Sequence, residues 1–365
     1  VDYLASVALV REGQHPNSKD GIGIRPADNA IDKALIASWI SKCDETHAGA
    51  CHGFHDPWAQ IRYATDILLI DVEQHCLISH SSVTGPLKYV ALSYVWGEAK
   101  DSFMTLQNNV DLLSRPNAFS EHSSRLPLTV QDSMALISSL GLRYLWVDRF
   151  CIIQDGDPKT KETQLAAMAS IYANAYFTLA AREGDAQTGL AGSRPERPRQ
   201  KPYKTFRLRP HFRMLLHDPT TYVEEPVYDQ RGWTFQQWKL SHRLLVFHSQ
   251  TVSWKCSSTM EQENGTYPND IPIREWEVAM TWGKIPDVTN YLNFVEKYCR
   301  RELRSEDDKL RAFEAIIAVL GRSLRGRMLY GLPELFFQES LLWAPSTSLS
   351  DKYLARNNTM IPSWS

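Results

Sequence analysis

The sequence predicts an α/β fold, a parallel sheet flanked by helices, and three observations lead there. Residues 89–97 read Tyr-Val-Ala-Leu-Ser-Tyr-Val-Trp-Gly, aromatic and β-branched side chains without charge that stop at Gly97, as in a buried strand. Residues 144–153 repeat that character, with Asp148 and Arg149 set in an otherwise apolar run. Between them, Val130, Met134, Ile137 and Leu140 share one helical face, and Gly141 closes that helix as a C′ glycine. Strand, helix and strand in that order form a βαβ unit, which requires parallel pairing and a right-handed crossover. A helix over 159–175, with Leu165, Met168, Ile171 and Tyr172 on one side, and a strand over 176–181 extend the series to β-α-β-α-β.

The remaining elements follow in order. Residues 1–30 are rich in loop formers and read as an N-terminal arm. A helix over 32–43 carries Leu35, Ile36, Trp39 and Ile40, with Asp28 or Asn29 as its cap. A hairpin over 64–72 and 76–79 turns at Glu73 and Gln74. Thr129 or Asp132 is expected to act near the first turn of the helix that follows Pro127. Residues 185–203 are rich in Gly, Pro and Arg and read as a mobile loop; its basic tract of Arg194, Arg197, Arg199 and Lys201 is expected to be solvated, with phosphate binding the lesser reading. A loop runs into a helix over 227–240, a hairpin covers 243–256, and helices over 287–301, 307–324 and 333–343 form a layer on the sheet. The organisation expected is an N-terminal extension at 1–88, an α/β core at 89–256 and a helical region at 257–365.

The 365 residues suffice for one large domain or two. A formal net charge of −2 disfavours nucleic acid and anionic membrane as partners. The six cysteines include no CxxC pair, which suits a reducing, cytoplasmic setting. Cys43, His47, Cys51 and His52 lie close together, but their spacing matches no zinc pattern, so no metal is expected. No run of eighteen apolar residues and no signal peptide is present, which points to a soluble intracellular protein.

Two neighbouring strands deliver polar groups to one sheet edge, and ligands of open α/β sheets bind at carboxyl ends of strands. Ser93, Trp96 and Gly97 from the first strand and Asp148 and Arg149 from the second are therefore pocket candidates. Ser93 has no histidine nearby in sequence to activate it, which disfavours a serine nucleophile. Cys151, in an apolar run, reads as a packed thiol. Trp96 and Trp233 serve equally as aromatic walls or as core, and Arg231 as an anion binder or a loop anchor. His242 and His248 read as surface or strand-end residues. No Walker loop or GxGxxG follows a strand, so the standard phosphate cradles are absent.

The blocks at 89–97, 126–128, 141–155, 168–181, 231–237 and 362–365, taken together and in order, resemble the fungal heterokaryon-incompatibility (HET) domain. The resemblance implies a flavodoxin-like sheet akin to the Toll/interleukin-receptor (TIR) domain, and a link to cell death after fusion of unlike fungal cells. It also implies that the closing Pro-Ser-Trp-Ser usually continues further, so a chain trimmed after Ser365 is expected. Many TIR-like relatives cleave NAD with a glutamate on a helix behind a tryptophan. The family pattern is Arg-Gly-Trp-Thr-Phe-Gln-Glu; here residues 231–237 end in Gln236 and Gln237. A carboxylate can stabilise an oxocarbenium-like transition state or accept a proton, whereas an amide has no charge and only forms hydrogen bonds.

That replacement favours a repurposed pocket: a cofactor-independent cyclase of pericyclic, Diels-Alder type in fungal secondary metabolism, acting on an apolar small molecule by orientation and hydrogen bonding. Gln237, Arg231 and Asp148 would act on the substrate there, with Ser93, Trp96, Gly97, Arg149, Trp233 and Gln236 binding it. No cofactor is expected on that reading. The alternative is a cell-death effector that binds or hydrolyses NAD. A third is a non-catalytic module that assembles into homo-oligomers.

Overall fold

A computed structural model describes residues 7–11, 29–47, 51, 67–83, 87–98, 103–199, 203–209, 212–217, 226–248, 250–263, 288–303, 308–323 and 326–342. The strand foreseen at 89–97 forms as β4 (Tyr89–Ser93), and each of its residues is buried. It pairs in parallel with β5 (Tyr144–Trp146) on one side and with β6 (Phe177–Ala181) on the other. β6 pairs in parallel with β9 (Arg243–His248). The strand order β5-β4-β6-β9 is the 2-1-3-4 order of flavodoxin-like sheets, and its direction reverses between β4 and β6. The crevice for a ligand therefore opens where β4 and β6 end.

Hairpins extend the sheet to eight strands. β2 (Leu68–Asp71) and β3 (Cys76–Ser79) join beside β5, and β10 (Thr251–Cys256) and β11 (Met260–Gln262) join beside β9, all antiparallel. The parallel sheet expected from the sequence is thus the centre of a mixed one: tight turns make each hairpin antiparallel, and β2 also lies antiparallel to β5.

The helices α1 (Lys33–Thr46), α2 (Leu128–Ser139), α3 (Pro158–Asn174), α4 (Gly232–Leu240), α5 (Val288–Cys299) and α6 (Asp308–Ser323) complete the layers. α2 ends as expected, at Gly141 with φ +74° and Leu142 N–H bonded to Ile137 O at 2.9 Å. The cap of α1 is Asp32, whose Oδ1 accepts from Leu35 N–H at 2.9 Å, rather than Asp28 or Asn29. The C-terminal helices pack on α4 through Phe235, which lies with Tyr291, Tyr298 and Phe313 in a second apolar cluster. No helix among the described residues is long and apolar enough to cross a membrane.

Four further expectations need correction. The run at 144–153 is not one strand: it ends at Trp146, and Asp148–Cys151 is a single helical turn closed by Cys151 N–H to Val147 O at 2.7 Å. Its apolar character reflects burial, which periodicity alone cannot assign to strand or helix. The basic loop is not solvated. Arg194 and Arg197 meet the fully buried Asp132 at 3.0 and 2.5 Å, and Arg199 meets Glu263 at 2.6 Å inside the protein; Lys201 lies outside the described residues. Asp132 therefore clasps this loop instead of capping α2, and Thr129 donates to Asp185 O at 2.9 Å. Residues 7–11, read as part of an arm, form β1 and pair with β8 (Phe212–His217), which pairs with β7 (Tyr203–Arg209) in a separate antiparallel sheet. Finally, residues 334–340 form two short helical turns after a small ribbon rather than one helix over 333–343.

Candidate functional site

Ser93 is the last residue of β4 and is fully buried. Its Oγ donates to Gln237 Oε1 at 2.5 Å and lies 2.6 Å from the Tyr228 hydroxyl. With its single proton given to the amide, Ser93 accepts from Tyr228. Burial pushes the Tyr228 phenol well up, so it stays protonated and able to donate. α4 holds Gln237 in place: Thr234 Oγ1 donates to Arg231 O at 2.8 Å at the start of the helix, and Ser241 Oγ donates to Gln237 O at 2.7 Å at its end. Gln237 is 4% exposed, so its amide oxygen faces the sheet. Gln236, also buried, leaves its Oε1 without a hydrogen-bond partner among the described residues.

A second group forms beyond β4 and β5. Trp96 Nε1 donates to both carboxylate oxygens of Asp148, at 3.0 and 2.9 Å. The Arg149 guanidinium lies over the Trp96 ring at 4.6 Å and donates to Trp96 O at 3.3 Å. Burial lifts the Asp148 carboxyl to about 6, against the opposing pull of the Trp96 hydrogen bond, the Arg149 N–H and the charges of Arg149 and Arg231. Gly97 has φ +75°, and a Cβ there would stand 2.5 Å from Asp185 Oδ2, so the loop after β4 admits only glycine at this point. The blocks at 89–97, 148–149 and 231–237 therefore converge on one end of the sheet. Trp233 does not: it packs between the main core and the cluster around Phe235.

A cleft of about 390 Å³ opens beside these groups. Tyr228 lines it and links it to Ser93. The cations Arg182, Lys239, Lys255, Lys297, Arg300 and Arg301 surround it, and its one acidic lining residue is Asp229. Arg182, just past the carboxyl end of β6, pairs with Asp229. Arg300 pairs with Glu296 at 2.5 Å on the exposed rim. Arg301 donates to Arg231 O at 3.0 Å, which ties the start of α4 to the end of α5. His248, at the end of β9, is held low by burial and then by the Arg182 charge, so it adds no cation near neutral pH. Walls of one sign concentrate the field in a concave site and draw in anions.

None of the nine site residues chosen from the sequence lines this cleft. Arg182 was within reach of the same logic, as the first charged residue after an apolar strand. Tyr228 and Lys255 had no local signal.

Residues 89–237 match the family model described as heterokaryon incompatibility protein (HET). A curated protein, heterokaryon incompatibility protein 6, OR allele, of Neurospora crassa, is 30% identical over 131 residues, 31% of this chain and 18% of that protein. The chain thus spans under a fifth of that relative's length. No solved structure matches.

Proposed function

We propose, from the match of residues 89–237 to the heterokaryon-incompatibility family model, that the chain acts in heterokaryon incompatibility by binding, without cleaving, a phosphate-bearing nucleotide. The observation that carries this is the cleft with six cationic side chains and one carboxylate, set at the end of β6 beside the switch point of the sheet. Arginine and lysine are the residues that hold phosphate oxygens, and the switch point is where open α/β sheets take ligands. An NAD-type dinucleotide fits this chemistry, its pyrophosphate among the cations and a ring against Trp238, which also lines the cleft.

Cleavage of a sugar–base bond needs a negatively charged oxygen or a base near the sugar. Gln237 offers neither, and its amide oxygen is engaged by Ser93. Asp229 is a carboxylate in the cleft, but Arg182 occupies it. The cofactor-free cyclase reading keeps the support of the Trp238 ring; a charged cleft suits an apolar substrate less well than an anionic one.

Calorimetric titration with NAD, ADP-ribose and pyrophosphate tests the proposal. Saturable binding that weakens with added salt and is lost in Lys255→Glu with Lys297→Glu is expected, with no nicotinamide released. Absence of binding to all three, or steady nicotinamide release by the unaltered chain, overturns it. Turnover of an apolar polyene without nucleotide binding would favour the cyclase.

A further inference from the structure

At the end of β10, one residue past Lys255 of the cleft, three sulfurs and an imidazole meet. Cys43 lies in α1 and His47 is its C-cap, with His47 N–H bonded to Cys43 O at 3.0 Å and Cys51 N–H to His47 O at 2.9 Å. The repeated four-residue spacing and these two i to i−4 bonds bring all three to the same side of the chain. The fourth group is Cys256 at the end of β10, 209 residues beyond His47. Donor atoms of the four lie within 4.8 Å of one another, and Cys256 Sγ is 3.7 Å from His47 Nδ1.

A buried cysteine by itself is most often a small apolar filler. Three features here exceed that. First, the separations approach those of a coordination tetrahedron, whose edges at ordinary zinc bond lengths are about 3.8 Å for S to S and about 3.6 Å for S to N. Second, the turn after β10 aims donors at the Cys256 sulfur: Ser258 N–H at 3.4 Å and Thr259 N–H at 3.3 Å, with the Thr259 hydroxyl at 3.4 Å. Such donors stabilise a bound thiolate and orient it. Third, a divalent ion with three thiolates and a neutral imidazole carries one net negative charge, and a cation stands next to it. Arg243 is directly opposite Cys256 in the β9–β10 ladder, almost wholly buried, and paired at 2.7 Å with Asp44, the neighbour of Cys43.

We propose that Cys43, His47, Cys51 and Cys256 form a structural zinc site that fastens α1 to the β9–β10 hairpin. Four protein donors leave no open position, which separates such a site from a catalytic one. The cysteines bind as thiolates, so loading the site releases their protons to solvent. The sequence hid it because only three ligands are local and the fourth is remote. His52, which the sequence grouped with them, lies outside the described residues.

The test uses the full chain purified without chelator or added metal. Elemental analysis is expected to find about one zinc per chain, and exchange with Co(II) to give sulfur-to-metal charge-transfer bands with the intense visible bands of tetrahedral geometry. His47→Cys should keep the metal and shift those bands; His47→Ala should lower metal content and Tm. Removing zinc with a chelator should lower Tm, restored by zinc and not by magnesium. If the alanine variant fails to fold, the Co(II) spectrum of the unaltered chain decides. Weak octahedral bands, a chain free of metal with all thiols titratable, or a disulfide among the three cysteines in mass spectra would each overturn the proposal.

Discussion

Ser93 Oγ and Gln237 Oε1 stand 2.5 Å apart inside the protein, although 144 residues separate them along the chain. The bond joins the end of the central strand to α4, which holds the last residues matched by the family model. Gln237→Leu removes the acceptor and leaves the serine with Tyr228 alone, which should cost about 1–3 kcal/mol. Ser93→Ala should cost a similar amount, and the double variant less than the sum of the two. Urea denaturation of the four proteins measures this; strict additivity would show that the two side chains do not interact.

Asp148 predicts a pH dependence with a definite sign. Its carboxyl is raised to about 6 by burial, so between the ordinary carboxylate range and that value the folded chain binds more protons than the unfolded one. Stability should therefore fall as pH rises from about 4 to about 6 and level off above, with a total effect of at most about 3 kcal/mol. Asp148→Asn, which still offers Trp96 an acceptor, should remove that contribution. Denaturation midpoints across this range, compared between the two proteins, give the slope directly.

The Asp132 clasp holds residues 189–197 to α2. Its carboxylate accepts from Leu190 N–H at 2.9 Å and meets both Arg194 and Arg197, with no solvent exposure of its own. Asp132→Ala leaves two guanidinium groups without their carboxylate and should cost about 3–5 kcal/mol. Limited proteolysis should then cut within 185–199, where the unaltered chain resists.

Phe235 carries the contact between α4 and the C-terminal helices, stacked on Phe313 with ring centroids 6.2 Å apart and tilted on Tyr298 at 5.8 Å. Phe235→Ala should destabilise by about 3–5 kcal/mol. Hydrogen exchange should rise in α5 and α6 before it rises in β4 and β6, because the central strands belong to a separate cluster.

Elements with a local signature were legible in the sequence. β4, β6, α2 with Gly141, and the β2–β3 and β9–β10 hairpins follow from apolar runs and turn residues close in the chain, whereas the edge strand β11 was not foreseen. What failed depended on partners far away. Arg194 and Arg197 read as solvent-facing because Asp132 is more than sixty residues distant, and β1 read as an arm because its partner is β8. At 148–151 the failure was different in kind, since a buried helical turn and a buried strand share one composition. For the site, the chosen residues lie outside the cleft lining, and the cations of the cleft come from five separate elements or loops and share no spacing.

The pairing of Asp44 with Arg243, 199 residues apart, and the meeting of His47 with Cys256 impose an order on biosynthesis. The ribosome makes α1 early, yet the strands against which it seats emerge after roughly ten to forty seconds of further translation at ordinary rates of about 5–20 residues per second. During that interval Trp39, Ile40 and Cys43, buried in the finished molecule, have no surface to cover them. Nascent chains stalled short of Cys256 should thus stay open to protease and prone to clumping, and a chaperone that shields an amphipathic helix should raise the yield of the full-length protein.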